Sequence, residues 1–367
     1  MILDEQPRLS GTSTGAPRRL GRWRILEAGI FCAFLSFGLP LSAQQTAAAP
    51  DKVFCIGTYN MAMFGPSKLK RSHTLEALAR VGASFDIMAM QEVGSNGSTA
   101  AEGTCIKVME GYTAAVNKEA GGCLYGYVRG NQYGYIYRQD KFEIKTYGLY
   151  SGSAHFTYTP FFAYFRLRNS DFDFIMLTIH TRPSLAAREV PELAAAMDDL
   201  SAQYHEAEIV CLGDFNADGG YYNEQPLNTL SSDGTADGGG NSVSAAVSGS
   251  SAEPEWSEEG SVTAGSGVSA SWLSGFPPER FISVVPNEAD TTVAGGTECA
   301  YDRIELSRGM AAHYSGFWGV LEPGELWDLS ACEAPGNAAG TDRALSDHYP
   351  VWGLFYSETG PLGEDTN

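Results

Sequence analysis

The alternation of apolar and polar positions predicts a mixed α/β chain. Val53–Tyr59, Asp86–Met90 and Ile209–Leu212 are apolar runs of strand length, and Gln132–Tyr137 and Phe161–Leu167 are rich in aromatic residues. Phe172–Ile179 predicts a further strand ending at His180. Phe281–Val285, Asp302–Leu306 and Pro350–Phe355 complete the set. Helical spacing runs over Leu69–Val81, with Leu75, Leu78 and Ala79 on one face, and over Leu185–Tyr204, where Pro191 predicts a boundary or a kink. Residues 231–270 are rich in Gly, Ser, Asp and Glu with almost no apolar periodicity, which predicts a surface insertion. These spans make one domain over 52–357, preceded by an Ala/Gln linker at 44–51 and followed by a polar tail at 358–367.

The N-terminus changes the picture of where the chain works. Arg8, Arg18, Arg19, Arg22 and Arg24 precede an apolar run from Ala28 to Leu41, and Ser42-Ala43-Gln44 follows. Basic flank, short apolar stretch and small residues are the order of a signal peptide, and the run is short for a bilayer span. The expectation is cleavage after residue 43, a secreted or periplasmic protein, and no stable membrane association afterwards. The net charge of -20 argues against a general electrostatic grip on nucleic acid. It leaves phosphate substrates open, because a bound cation inverts the local field. Six cysteines remain beyond Cys32 (Cys55, Cys105, Cys123, Cys211, Cys299 and Cys332), an even number that suits disulfides in an oxidising compartment. Cys55 and Cys211, inside apolar runs, also read as buried thiols; the preferred pairs are Cys105 with Cys123 and Cys299 with Cys332.

Polar residues able to bind metal or move protons recur at the strand ends: Asn60, Glu92, His180, Asp214, Asn216, Asp302, Asp347 and His348. Glu92 suits a hard cation such as Mg²⁺. Asp214 and Asn216 alternate on an extended segment and share a face, with Phe215 turned into the core. The two histidines are proton donors or phosphate ligands, and Asp302 is placed to orient one of them. A cation, a carboxylate for water and two imidazoles suit phosphoryl chemistry. His73, His155, His205 and His313 read as structural or surface residues.

Taken in order, six segments resemble the endonuclease/exonuclease/phosphatase superfamily and, within it, DNase I-like enzymes. They are Thr58-Tyr59-Asn60, Gln91-Glu92-Val93, Ile179-His180, Gly213-Asp214-Phe215-Asn216-Ala217-Asp218, Cys299-Ala300-Tyr301-Asp302-Arg303-Ile304 and Ser346-Asp347-His348-Tyr349-Pro350-Val351. The resemblance implies a four-layer α/β sandwich of two mixed β-sheets flanked by helices. It implies Glu92, Asn60 and Asp347 around Mg²⁺ or Mn²⁺, His348 paired with Asp302, and His180 as the second histidine. Asp214 would activate or position water and Asn216 would hold a phosphate oxygen. Asp290 and Thr292 are candidates for structural Ca²⁺, and Tyr133 for substrate binding. A monomer acting on nucleic acid or another phosphodiester is expected.

Three departures qualify the substrate. Asn131 stands where the family carries a Glu that orients the equivalent of His180. Ala62, Gly94 and Tyr158 stand where it carries DNA-gripping arginines, which puts duplex DNA in doubt. Gly219 or Gly220 stands where it carries a cysteine, which leaves Cys299 without its family partner. The leading expectation is an exported endonuclease on DNA or RNA. The alternatives are a phosphatase or a phospholipid or small-molecule phosphodiesterase on the same fold, and a non-catalytic binding homologue.

Overall fold

A computed structural model describes residues 53–94, 102–222, 269–270, 273, 275–293 and 299–358. The expected signal peptide, the linker, residues 231–268 of the insertion and the tail past Glu358 lie outside them. Among the described residues, thirteen strands, numbered in chain order, form two sheets. The first contains β1 (Val53–Phe64), β2 (Ile87–Val93), β3 (Tyr125–Gly130), β4 (Tyr133–Arg138), β12 (Tyr314–Val320) and β13 (Val351–Tyr356), in the order β12-β13-β1-β2-β4-β3. The second contains β5 (Phe142–Leu149), β6 (Phe161–Leu167), β7 (Asp173–His180), β8 (Ile209–Asp214), β9 (Ser269–Ala270), β10 (Phe281–Ser283) and β11 (Asp302–Ser307), in the order β5-β6-β7-β8-β11-β10-β9. Both sheets are mixed: β1 runs parallel to β2, and β7 parallel to β8.

Side-chain alternation builds the layers. Along β7, Phe174 and Met176 face the first sheet and join the central core with Phe54, Ile56, Tyr135 and Phe355. Ile175, Leu177 and Ile179 face the other way, against Val190, Leu193 and Met197 of helix α4 (Ala186–Tyr204). On the outside of the first sheet lie α1 (Pro66–Leu69), α2 (Ser72–Ala83) and α3 (Glu102–Glu119). There the Tyr112 hydroxyl donates to the Leu78 carbonyl, and Gly82 packs against Tyr112 and Ile136. The arrangement is the expected four-layer sandwich.

Several boundaries differ from expectation. The helix foreseen over Leu69–Val81 is two helices, α1 and α2, separated at Lys70 and Arg71. Pro191 sits within α4, in its second turn. The strand beginning at Phe281 stops at Ser283, and the last two residues of the acidic insertion form β9.

Neither preferred disulfide forms. Cys105 and Cys123 flank most of α3, which holds their backbones roughly 20 Å apart at about 1.5 Å per helical residue, against the ~4.4–6.8 Å a bridge needs. The Cys105 thiol instead donates to the Asn131 carbonyl at 2.9 Å, with the Val93 carbonyl at 3.2 Å sharing the same hydrogen, and Cys332 donates to the carbonyl of His73. Cys299 lies beside Gly219, where an added Cβ would stand 3.1 Å from its Sγ. Among the described residues, no helix is long and apolar enough to cross a membrane.

Candidate active site

Strand register gathers the polar strand-end residues. His180 on β7 is paired with Asp214 on β8, and Asp214 with Asp302 on β11, so three candidate side chains lie in one row across the second sheet. Gly213 permits the close approach that this row requires. At φ 143, a Cβ there would lie 2.0 Å from the carbonyl oxygen of Ile179, which no other residue tolerates. Phe215 is buried, and its backbone N–H donates to Tyr301, locking β8 to the start of β11.

The first sheet supplies the other half. Asn60 ends the regular part of β1, opposite Gln91 on β2, and Glu92 follows. The Asn60 amide nitrogen lies 2.9 Å from Asp214 Oδ2 and 3.3 Å from Glu92 Oε1, so one amide joins carboxylates from two sheets. Glu92 has φ 60, and Ala62 and Met63 have φ 42 and 51, the left-handed conformation that side chains avoid. The Met63 backbone N–H donates to Glu92 Oε2 at 2.7 Å, so this bend in β1 holds the carboxylate. Beneath the site, Gln91 Nε2 donates to the hydroxyls of Thr58 and Thr178 and ties the sheets together.

Asp214 Oδ2 is the hub. It lies 3.5 Å from both His180 Nε2 and His348 Nε2. His348 Nδ1 donates to Asp302 Oδ2 at 2.7 Å, and Asp302 is fully buried. Burial works against charge on both members of this pair. At His348 the Asp302 and Asp214 carboxylates overcome it, and the imidazole is pushed up to about 10. The pair therefore carries its proton on His348 at neutral pH. His180 is held differently. Its backbone N–H donates to the Tyr133 hydroxyl at 3.1 Å, its ring lies 6.0 Å from that of Tyr158, and its Nδ1, which makes no hydrogen bond, lies 3.8 Å from Glu92 Oε1.

Other expected members occupy different roles. Tyr133, foreseen as a substrate contact, is 1% exposed and spends its hydroxyl on the His180 backbone. Asn131 is exposed at the β3–β4 turn with φ 51, and no hydrogen bond joins its amide to His180. Asn216 is not on an extended segment. The chain turns there at φ 47, its N–H donates to Asp214 Oδ1, and its amide donates to the Thr181 carbonyl at 3.1 Å. Asp290 Oδ1 accepts from the N–H and hydroxyl of Thr292, and Thr292 pairs with His348 in a short bridge. That turn supports the histidine loop. Asp347 is exposed, and its carbonyl accepts from Val293.

Three contributors escaped the sequence reading. Lys68, buried in α1, donates to the carbonyls of Met61, Ala62 and Leu345. Glu189, buried in α4, accepts from the backbone N–H of Thr157 and of Arg182, and so pins the loop carrying Tyr158 to the exit from His180. Ser346 donates to the Asn60 carbonyl at 2.6 Å. A buried Lys or Glu is the one available signal, and it is visible only once burial is known.

In donor type, Glu92, Asp214, Asp347 and the Asn60 amide suit a hard dication. Carboxylates from both sheets meet at one amide, and a bound cation would offset that charge. Among the described residues, no three His, Cys, Asp or Glu side chains already form a ligating cluster.

The chain is 24% identical over 336 residues to deoxyribonuclease-1-like 1 of Mus musculus, covering 90% of this chain and 88% of that protein. It is 22% identical over 317 residues to deoxyribonuclease gamma of Mus musculus, covering 80% and 82%. A solved endonuclease/exonuclease/phosphatase family protein from Bacteroides thetaiotaomicron shares the fold, with a TM-score of 0.50 at 15% identity, covering 82% of this chain and 97% of that one. The model of the Endonuclease/Exonuclease/phosphatase family matches residues 57–348, and the chain belongs to that family.

Proposed function

We propose that the chain is an exported, divalent-cation-dependent phosphodiesterase whose leading substrate is DNA or RNA. One observation carries this reading: the Asp214 carboxylate faces two imidazoles at 3.5 Å each, and one of them is backed by a buried carboxylate. Deoxyribonucleases among the relatives point to nucleic acid as the substrate. Glu92, Asn60 and Asp347 would hold Mg²⁺ or Mn²⁺, which neutralises charge on the phosphate.

The chain's own residues divide the remaining work. Asp214 orients the attacking water and takes its proton. His348, as imidazolium, donates its Nε2 proton to the departing oxygen as the P–O bond breaks, and Asp302 on Nδ1 orients the ring and stabilises its charge. His180 donates to a non-bridging oxygen. Asn216 fixes the turn that aims Asp214. In this reading Asn216 and Tyr133 are positioning residues rather than substrate contacts.

Incubation of the full chain with plasmid and single-stranded oligonucleotides in Mg²⁺ tests the proposal. Cleavage that is lost in EDTA and in Asp214→Ala is expected. No cleavage, or cleavage indifferent to both, refutes it. A small phosphodiester is the second reading. It is favoured by the surface beside the histidines, where Tyr158 packs on His180 and Met63 is 59% exposed. Turnover of bis(p-nitrophenyl) phosphate with no plasmid nicking would select it.

A further inference from the structure

We propose that Lys68 is a positioning residue for the cation pocket: its ammonium latches the bend of β1 that bears Asn60 to the loop that bears Asp347 and His348. This rests on the cation role proposed above for Glu92, Asn60 and Asp347.

The geometry makes the case. After Asn60 the pairing of β1 with β2 shifts register until Phe64. Ala62 and Met63 take left-handed backbone angles within that shift. Carbonyls displaced from a ladder need donors elsewhere. Lys68 reaches back from α1 and supplies them: Nζ lies 2.8 Å from the Met61 carbonyl oxygen and 3.0 Å from that of Ala62. Its third contact, at 2.6 Å, is the carbonyl oxygen of Leu345, on the other loop. An ammonium has three N–H donors, and all three are used. Lys68 is 8% exposed, so its head group is not presented to solvent or substrate. Ser346 donates to the Asn60 carbonyl at 2.6 Å and links the same two segments a second time. Through the Met63 N–H, the latched bend also holds Glu92 Oε2.

An apolar replacement of the same length would leave three carbonyls without a donor and free the two loops to separate. The donors for a cation would then be less well arranged, even in a folded protein.

Calorimetric titration of the full chain with MnCl₂ tests this, with thermal unfolding recorded on each variant. Wild type is expected to bind Mn²⁺, and Glu92→Gln to weaken binding. Lys68→Met is expected to weaken Mn²⁺ binding about tenfold, and Lys68→Gln less, both in folded protein. A purely structural lysine would lower the unfolding temperature and leave Mn²⁺ affinity unchanged, and that result overturns the latch alone. Should neither Lys68 variant fold, Ser346→Ala, which breaks the parallel link, decides in their place: weaker Mn²⁺ binding supports the latch, and unchanged binding overturns it. Wild type that binds no Mn²⁺, or binding indifferent to Glu92→Gln, overturns the cation reading and the latch together.

Discussion

His348 and His180 face one oxygen of Asp214 at the same distance, and the protein holds them by different means. His348 has a buried carboxylate on its far nitrogen, a backbone bridge to Thr292 and support from Ser346. His180 has a tyrosine hydroxyl on its backbone, a tyrosine ring beside it and, on its far nitrogen, Glu92 Oε1 at 3.8 Å, too long for a hydrogen bond. A carboxylate behind an imidazole fixes its tautomer and favours its cation. Packing fixes only where the ring lies. The two histidines are therefore not interchangeable: one is hydrogen-bonded to a buried carboxylate, the other is held mainly by packing.

The sharpest way to break this comparison is replacement. His348→Ala is expected to lower kcat by about 10³-fold, within the range for a general acid. His180→Ala is expected to cost less, about 10²-fold. Steady-state rates on one phosphodiester at saturating Mg²⁺ check both, and equal losses would erase the distinction. Asp302→Asn should approach the His348→Ala loss, since it keeps the hydrogen bond and removes the charge.

A third prediction concerns stability, measured by unfolding in EDTA. The folded-state pKa of His348 lies above its unfolded value, so the fold binds that proton more tightly than the unfolded chain does. Its contribution is complete below the unfolded value, roughly 6.5, and is lost as pH rises toward the folded value of about 10. The stability difference between wild type and His348→Gln should shrink across that window. A difference constant from pH 6 to pH 10 would contradict the charged pair.

The smallest effect is expected at Tyr158. Tyr158→Phe keeps the ring and should stay within about twofold of wild-type kcat, whereas Tyr158→Ala should lose about tenfold, by misplacing His180. Equal behaviour of the two variants would remove ring packing as the device that holds His180.

Much of this architecture is legible in the linear chain. Apolar runs announce β1, β2, β7 and β8 because strands buried on both faces need largely apolar residues. Asp214, His180, Asp302 and His348 stand out because each lies at or near the end of a strand. Helix α3 and strands β3, β5 and β12 have no clear linear signature. Gly103, Gly111 and the half-exposed faces of β5 and β12 blur the periodicity that a one-dimensional reading depends on.

The failures at the site share one cause. The resemblance implies roles for Tyr133 and Asn131, but burial of the first and the turn geometry of the second decide what they touch. An even cysteine count and the missing family partner of Cys299 suggest the pairs, but α3 sets the distance between Cys105 and Cys123. Residue order along the chain carries fold, family and the chemical character of the centre, since apolar runs and strand-end donors are local properties. Packing two sheets face to face carries the rest. It brings Asn60 to Asp214, gives His348 a buried carboxylate that His180 lacks, and turns Lys68 inward onto three carbonyls. Those contacts join residues far apart in the chain, and their strength depends on excluding water, which no linear pattern records.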